Sequence, residues 1–442
     1  MSSKVSLGKI NKEHIYILLT IVSKVINSYF YGLNNNEAFE TFKIFENNNL
    51  GNHILIRYFF NYIFILIGGL CLYLYDCCKS KKEQSFNNTN EKNDNPNKKI
   101  VLLCILIYFI WFIEEICLDY FIVSFKDVDC WMFELIILAK LTQILFSTEI
   151  YKHLWLAIYI SLLPFLLKII SIIITLIDTY KNGINVNYEM GLPILYTTNK
   201  FYLLGFFLYL FFIFLRAYVN IQLNFLIEKK FISPKMILIG HGITGMLFSL
   251  IFIFIFSSIP CNNYIINPNN SENKNYYYYS KYLCKIKIYD NENNSNITEY
   301  LENVEDYFHF KNTVDEIFTI ILGSITFLCF QYLALLVIKN LSPAHFIFSI
   351  PITFLFQNLT NLVIEKIYNG KFFNDNIDPI KKIKFLLDFI GNLLAIFGFL
   401  IYLEIIVLKC CGLDYNIKVN INERKEGITN EDPSISFDQI LE

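Results

Sequence analysis

The sequence predicts an all-α polytopic membrane protein, with about ten transmembrane helices arranged as two inverted five-helix repeats. Three observations carry that expectation. The 442 residues are 55% hydrophobic and only 17% charged, whereas an average soluble chain is about a quarter charged. The apolar residues come in blocks long enough to cross about 30 Å of hydrocarbon, which takes roughly 20 residues of helix. The blocks are continuous rather than alternating, which separates spanning helices from the strands of a membrane barrel. The 37 basic and 39 acidic side chains nearly cancel and form no basic block, so no nucleic-acid partner is expected.

The blocks follow in order along the chain. Lys4, Lys9 and Lys12 precede the first, 14–33, and no small-residue cleavage site follows it, so it reads as a retained signal anchor behind a cytosolic segment 1–13. Lys24, Asn27 and Ser28 interrupt that block, making it the weakest of the set. The second, 53–77, holds Arg57 and ends at the doublet Cys77–Cys78. Residues 79–99 are charged and Asn-rich and read as a disordered cytosolic loop. The third block, 100–125, carries Glu114, Glu115 and Asp119, and the fourth, 130–148, carries Glu134 and Lys140. The fifth, 154–178, holds Lys168 and completes a first half, 14–178. A second half, 200–408, holds the blocks 200–228, 236–259, 313–338, 343–365 and 385–408, with a long loop at 260–312 and a tail at 409–442.

Ten crossings place both termini on one side. The segments on that side hold 18 Lys and Arg against 14 opposite, or 9 when the long 260–312 loop is set aside. Positive charge favours the cytosol, so the termini are expected there and the long loop in a lumen. That loop contains Cys261 and Cys284, expected to form a disulfide in an oxidising compartment. It also holds the acceptor triplets at Asn269, Asn293 and Asn296, expected glycosylation sites. The doublets Cys77–Cys78 and Cys410–Cys411 stand at cytosolic ends of spans, where S-palmitoylation occurs. The six histidines show no metal-ligand spacing, there is no C-x-x-C pair, and no P-loop, dinucleotide, nucleophile-elbow or zincin motif is present. No cofactor, metal or catalytic residue is therefore expected.

Charges inside the spans are the informative residues, because each is costly in hydrocarbon and faces a partner, a bundle interior or a wet cavity. At about 100° per residue, Tyr108, Trp111, Glu115 and Asp119 share one face of the third span. Lys140 and Gln143 share a face of the fourth, and Arg216 and Asn220 of the sixth. His241, Gln331 and Gln357 mark polar faces of the seventh, eighth and ninth. Read together they form a polar pathway, in which Lys140 and Arg216 attract an anionic group and Glu115 or Asp119 balances charge or relays protons. The structural alternative is a set of ion pairs, such as Glu115 with Lys140. Lys168 and Arg57 are expected to pair or to extend toward the interface, and His153 and His345 to lie near span ends.

Ten spans divide as five plus five, and an odd number per half makes two homologous halves run oppositely through the membrane. Spacing agrees in part: Asp127 to Glu149 and Pro343 to Glu365 each cover 22 residues. Three stretches resemble the drug/metabolite transporter superfamily, which includes EamA-type, nucleotide-sugar and chloroquine-resistance-type transporters. Phe146-Ser-Thr-Glu149 is similar to its Gly-Glu junction after the fourth helix, with Thr148 in place of Gly. Arg216-Ala-Tyr-Val-Asn220 through Pro234 is similar to its sixth helix and the turn into the seventh. Lys339-Asn-Leu-Ser-Pro343 with Pro351 is similar to its turn between helices eight and nine. The resemblance implies a central cavity lined by helices one to four and six to nine, favouring Glu115, Lys140, Arg216 and His241 over Lys168.

The expected function is therefore secondary transport of a small polar or anionic metabolite across an endomembrane by alternating access. The bilayer and the metabolite are the expected partners, and a homodimer is an allowed assembly. A non-transporting receptor or scaffold on the same fold is the alternative, and a membrane-embedded enzyme a third.

Overall fold

A computed structural model describes residues 5–7, 14–30, 54–84, 98–124, 131–146, 151–167, 170, 174, 199–258, 260–261, 299–300, 313–369, 379–408 and 413. They are almost all helical. In chain order the elements are β1 (Val5–Leu7), α1 (His14–Phe30), α2 (Ile54–Gln84), α3 (Lys98–Ser124), α4 (Trp131–Phe146), α5 (Lys152–Ile160), α6 (Asn199–Glu228) and α7 (Pro234–Ser257). The short strands β2 (Pro260–Cys261) and β3 (Glu299–Tyr300) follow, then α8 (Thr313–Asn340), α9 (Pro343–Asn369), α10 (Pro379–Tyr402) and β4 (Ile406–Leu408).

Each predicted block overlaps a helix, with shifted ends. α2 runs on to Gln84, into the segment expected to be disordered; Lys79, Lys81 and Lys82 are good helix formers that suit the negative end of the helix dipole. α10 opens at Pro379, ahead of the predicted 385, because proline is preorganised for the first helical position. Ser233 caps α7, its hydroxyl accepting from the Met236 amide at 3.3 Å, with Pro234 next.

Among the described residues six helices are long and apolar enough to cross a membrane, within α2, α3, α6, α7, α8 and α10. The fold is thus that of an all-α, multi-pass membrane protein. Three of the other helices are short over their described lengths: α1 has 17 residues, α4 has 16 and α5 has 9. α9 has 27 residues, with Pro351 inside it.

Packing is organised around two pairs, α2 on α7 and α1 on α8. Lipid offers no hydrophobic drive between helices, so association depends on close packing, which small residues allow. A Cβ on Gly242 would lie 2.8 Å from the Leu66 amide nitrogen, and one on Gly69 would lie 3.2 Å from that of Ile239. Further along, Gly245 meets the Tyr62 ring. Residue numbers fall in α7 as they rise in α2, so the two helices run antiparallel. α3 packs on α6 and α7, α2 also on α8, α4 on α6 and α9, α1 on α9, and α5 on α10. One core joins α2, α3, α6, α7 and α8 around Tyr62, Phe112 and Leu238; the other centres on Leu135, Ala157, Phe348 and Phe399.

β1 pairs antiparallel with β4, Ser6 opposite Val407. The strand before the first helix therefore lies beside the strand after the last one, and both ends of the bundle meet on one side. β2 pairs with β3, Cys261 opposite Glu299, closing the base of the long 260–312 loop.

Candidate functional site: two polar clusters between the helices

The first cluster forms around Glu115 on α3. Its carboxylate accepts a hydrogen bond from the Tyr62 hydroxyl of α2 at 2.7 Å and another from the Gln331 amide of α8. The His241 Nε2 atom of α7 stands 3.4 Å from the same carboxylate. Four helices thus converge on one acidic side chain that is itself about 10% exposed. The His241 ring stacks on Trp111, centroids 3.7 Å apart and 11° from parallel, and meets the Tyr62 ring edge-on at 5.1 Å. It is fully buried, and neither ring nitrogen makes a hydrogen bond among the described residues. A buried polar group left without a partner is costly, and here it lies beside a carboxylate within an aromatic wall.

Local sequence places these groups. Trp111 and Glu115 lie four residues apart, one above the other on α3, and Gly240 lets the Tyr108 ring against α7 where any side chain would collide. Next to Tyr62 on α2, Asn61 Oδ1 accepts from the Ser324 hydroxyl of α8 at 3.0 Å, and Thr326 donates to Asn27 of α1 at 3.1 Å. Ser324 and Gln331, seven residues apart, share a face of α8, so the polar contacts form a ladder along it.

The second cluster forms around Glu134 on α4, which is fully buried. Arg216 of α6 donates to it from Nε at 2.6 Å and pairs with it through Nη2, and the Asn220 amide donates to its other oxygen at 3.1 Å. One turn of α6 thus supplies both donors, and the carboxylate is bound on both oxygens.

Of the residues expected to form one pathway, Glu115, His241 and Gln331 come together, and Arg216 and Asn220 meet separately at Glu134. Lys140 joins neither cluster. It is exposed on α4, with its ammonium 4.8 Å from the Trp155 ring centroid and 3.4 Å from Gln143 Oε1. The Glu115–Lys140 pair given as the structural alternative does not form: Glu134 takes the arginine, Glu115 takes neutral donors, and Lys140 rests on an aromatic face. Arg57 is buried, over the Tyr58 ring at 5.3 Å. The side chains of Asp119 and Gln357 lie outside the described residues, as do Lys168, Asn269, Cys284, Asn293, Asn296, Cys410 and Cys411. The expected Cys261–Cys284 disulfide and the glycosylation sites fall there too. Cys77 and Cys78 are free thiols near the end of α2, the second of them exposed.

Sequence reasoning missed Tyr62, and noted Glu134 only as an intramembrane acid. Tyr58, Asn61 and Tyr62 do form one polar stretch inside an apolar block, but a chain with 30 tyrosines gives no reason to single out one. Among the described residues no group of three His, Cys, Asp or Glu could hold a metal ion. No protein-family model matches the chain, and a search of curated proteins finds no match.

Proposed function

We propose that the chain is a secondary transporter related to the drug/metabolite transporters, with ten crossings in two inverted five-helix halves. The observation that supports this reading is the order in which the helices pack. When each helix is exchanged for the one five places on, α1–α8 maps onto α3–α6, α2–α8 onto α3–α7, and α1–α9 onto α4–α6. The pairs α2–α7, α4–α9 and α5–α10 map onto themselves. A two-fold axis in the membrane plane, relating halves of opposite orientation, generates that pattern.

The Glu115 cluster follows the same exchange. Tyr62 is the ninth residue of α2 and His241 the eighth of α7; Glu115 is the eighteenth of α3 and Gln331 the nineteenth of α8. The four side chains stand at matching heights around the axis, where rocking of the halves exposes a site to either side in turn. The substrate is a small polar metabolite that exchanges hydrogen bonds with Glu115, Gln331 and His241. An anion is disfavoured, since Arg216 is paired with Glu134 and Lys140 faces outward. The membrane is an endomembrane, with the termini cytosolic.

The test is uptake by the full chain in proteoliposomes against a panel of labelled polar metabolites. A substrate taken up by the wild type is expected to be lost in Glu115→Gln and retained in Lys140→Ala. One observation favours a second reading, a receptor or scaffold on a transporter-like fold: the Glu134 cluster closes on itself, apart from Glu115, as a structural brace does. No uptake across the panel by folded wild-type protein would support that reading.

A further inference from the structure

We propose that the turn between α6 and α7, residues 229–233, holds the protein to anionic phospholipid. Phe231 inserts among the acyl chains, and Lys229 and Lys230 meet the headgroup phosphates. The turn stands apart from both intramembrane clusters, and its role does not depend on the transport reading. It needs only that α6 and α7 cross a bilayer.

Two features of Phe231 mark the turn. Its side chain is 88% exposed, more than any other large apolar side chain among the described residues. Its backbone stands at φ 55°, a left-handed position that glycine ordinarily takes. The bend is held on both sides of it. The Lys229 amide donates to the Phe225 carbonyl at 2.9 Å, the Ile232 amide donates to the Leu226 carbonyl at 3.0 Å, and Ser233 caps α7. Glycine would make the same bend without strain and without presenting a ring. A bulky residue in that conformation points to a role for its side chain. That role lies outside the protein, which covers little of the ring.

Depth and charge select the partner. The candidate spans end at Glu228 in α6 and begin at Pro234 in α7, so the short turn between them lies at the membrane surface. An aromatic ring at that depth sits where headgroups meet acyl chains. Lys229 and Lys230 are exposed, and neither is paired with a carboxylate among the described residues. The Lys230 ammonium stands 5.5 Å from the Phe225 ring centroid. Lys235 pairs with Asp76 and so brings the end of α2 alongside, where Lys79, Lys81 and Lys82 follow in the helix. The other acids of these helix ends, Glu83 and Glu228, leave the lysines in excess. Lysines suit the C-terminal end of any helix, but the helix dipole gives no reason for the ring. Ring and lysines together match a lipid with apolar chains and a net negative head. A choline lipid offsets its own phosphate with an ammonium and matches them less well.

The full chain in nanodiscs of phosphatidylcholine, with and without phosphatidylserine, tests this. Phe231→Trp places a fluorophore in the turn, read as the difference from the wild type with its 3 tryptophans. Brominated acyl chains quench tryptophan on contact. The added emission is expected to be quenched about twofold more when the serine lipid carries the bromines than when an equal share of the choline lipid does. Lys229→Gln/Lys230→Gln in the same variant is expected to make the two equal. Phe231→Gly keeps the bend and is expected to lose most of the rise in unfolding midpoint that phosphatidylserine gives the wild type by mass action. Added emission that stays at the wavelength of exposed tryptophan, unquenched by either lipid, would overturn the proposal in favour of a soluble partner. Equal quenching by the two lipids, or an undiminished rise in Phe231→Gly, would overturn it as well.

Discussion

Arg216 and Glu134 join α6 to α4 through an ion pair whose acid is fully buried, Nε to Oε2 at 2.6 Å. Desolvating two charges is expensive, and their attraction repays it only while both remain. Arg216→Met therefore leaves an uncompensated buried carboxylate and is expected to destabilise the protein by about 3–5 kcal/mol. Combining it with Glu134→Gln removes the orphaned charge and is expected to recover most of that loss. A double-mutant cycle on unfolding midpoints in detergent measures the coupling; additive losses would mean that the pair contributes nothing jointly.

Glu115 and Lys140 are predicted to separate cleanly. Glu115→Gln keeps one oxygen to accept from Tyr62, while its new amide NH2 can donate to Gln331 once that side-chain amide flips, so it is expected to change stability by only about 1 kcal/mol, while abolishing uptake of any transported metabolite. Lys140→Ala removes a cation over Trp155, worth roughly 0.5–1 kcal/mol at an exposed site, and is expected to leave uptake intact. Unfolding midpoints and initial uptake rates for both variants, measured side by side, check the pair. The reverse ranking in uptake would move the site from α3 to α4.

The helices are legible in the sequence because a bilayer demands long apolar blocks, and such blocks survive compositional bias. α2, α3, α6, α7 and α8 follow from that demand alone. The partners of the charges are less legible. A helical face places Glu115, Trp111 and Tyr108 together on α3, but which neighbouring helix supplies the donors depends on interhelical packing. That packing is written in glycines such as Gly242 and Gly69, whose role becomes visible only once their neighbours are known. Lys140 illustrates the converse: an amphipathic lysine inside an apolar block looks buried by sequence, yet it is exposed and its ammonium ends over the half-buried Trp155 ring.

The α2–α7 crossing yields a prediction that distinguishes backbone from side-chain contact. A Cβ at Gly242 would meet Leu66 backbone atoms at 2.8 and 2.9 Å, so the two helices must separate. A Cβ at Gly68 collides only with the end of the Leu328 side chain, which can change rotamer. Gly242→Ala is expected to cost about 1–3 kcal/mol as an overpacked core substitution. Gly68→Ala is expected to come out near neutral, since alanine's better helix propensity, about 1 kcal/mol, offsets the repacking. Midpoints from thermal or denaturant unfolding rank the two; equal losses would mean that the helices do not approach through Gly242.

The pairing of β1 with β4 leads to a prediction about topology. Ser6 stands opposite Val407 in an antiparallel ladder, where facing Cα atoms are about 4.5–5.5 Å apart, within the span a disulfide bridges. The double variant Ser6→Cys/Val407→Cys is expected to cross-link on mild oxidation, shifting the band on non-reducing gels. Because a ladder cannot form through hydrocarbon, the two positions must lie on one side of the membrane. In sealed vesicles, single cysteines at 6 and 407 are therefore expected to react together with an impermeant maleimide or to be protected together. Reaction at one position and protection at the other would break the β1–β4 pairing, and with it the even number of crossings on which two opposed halves depend.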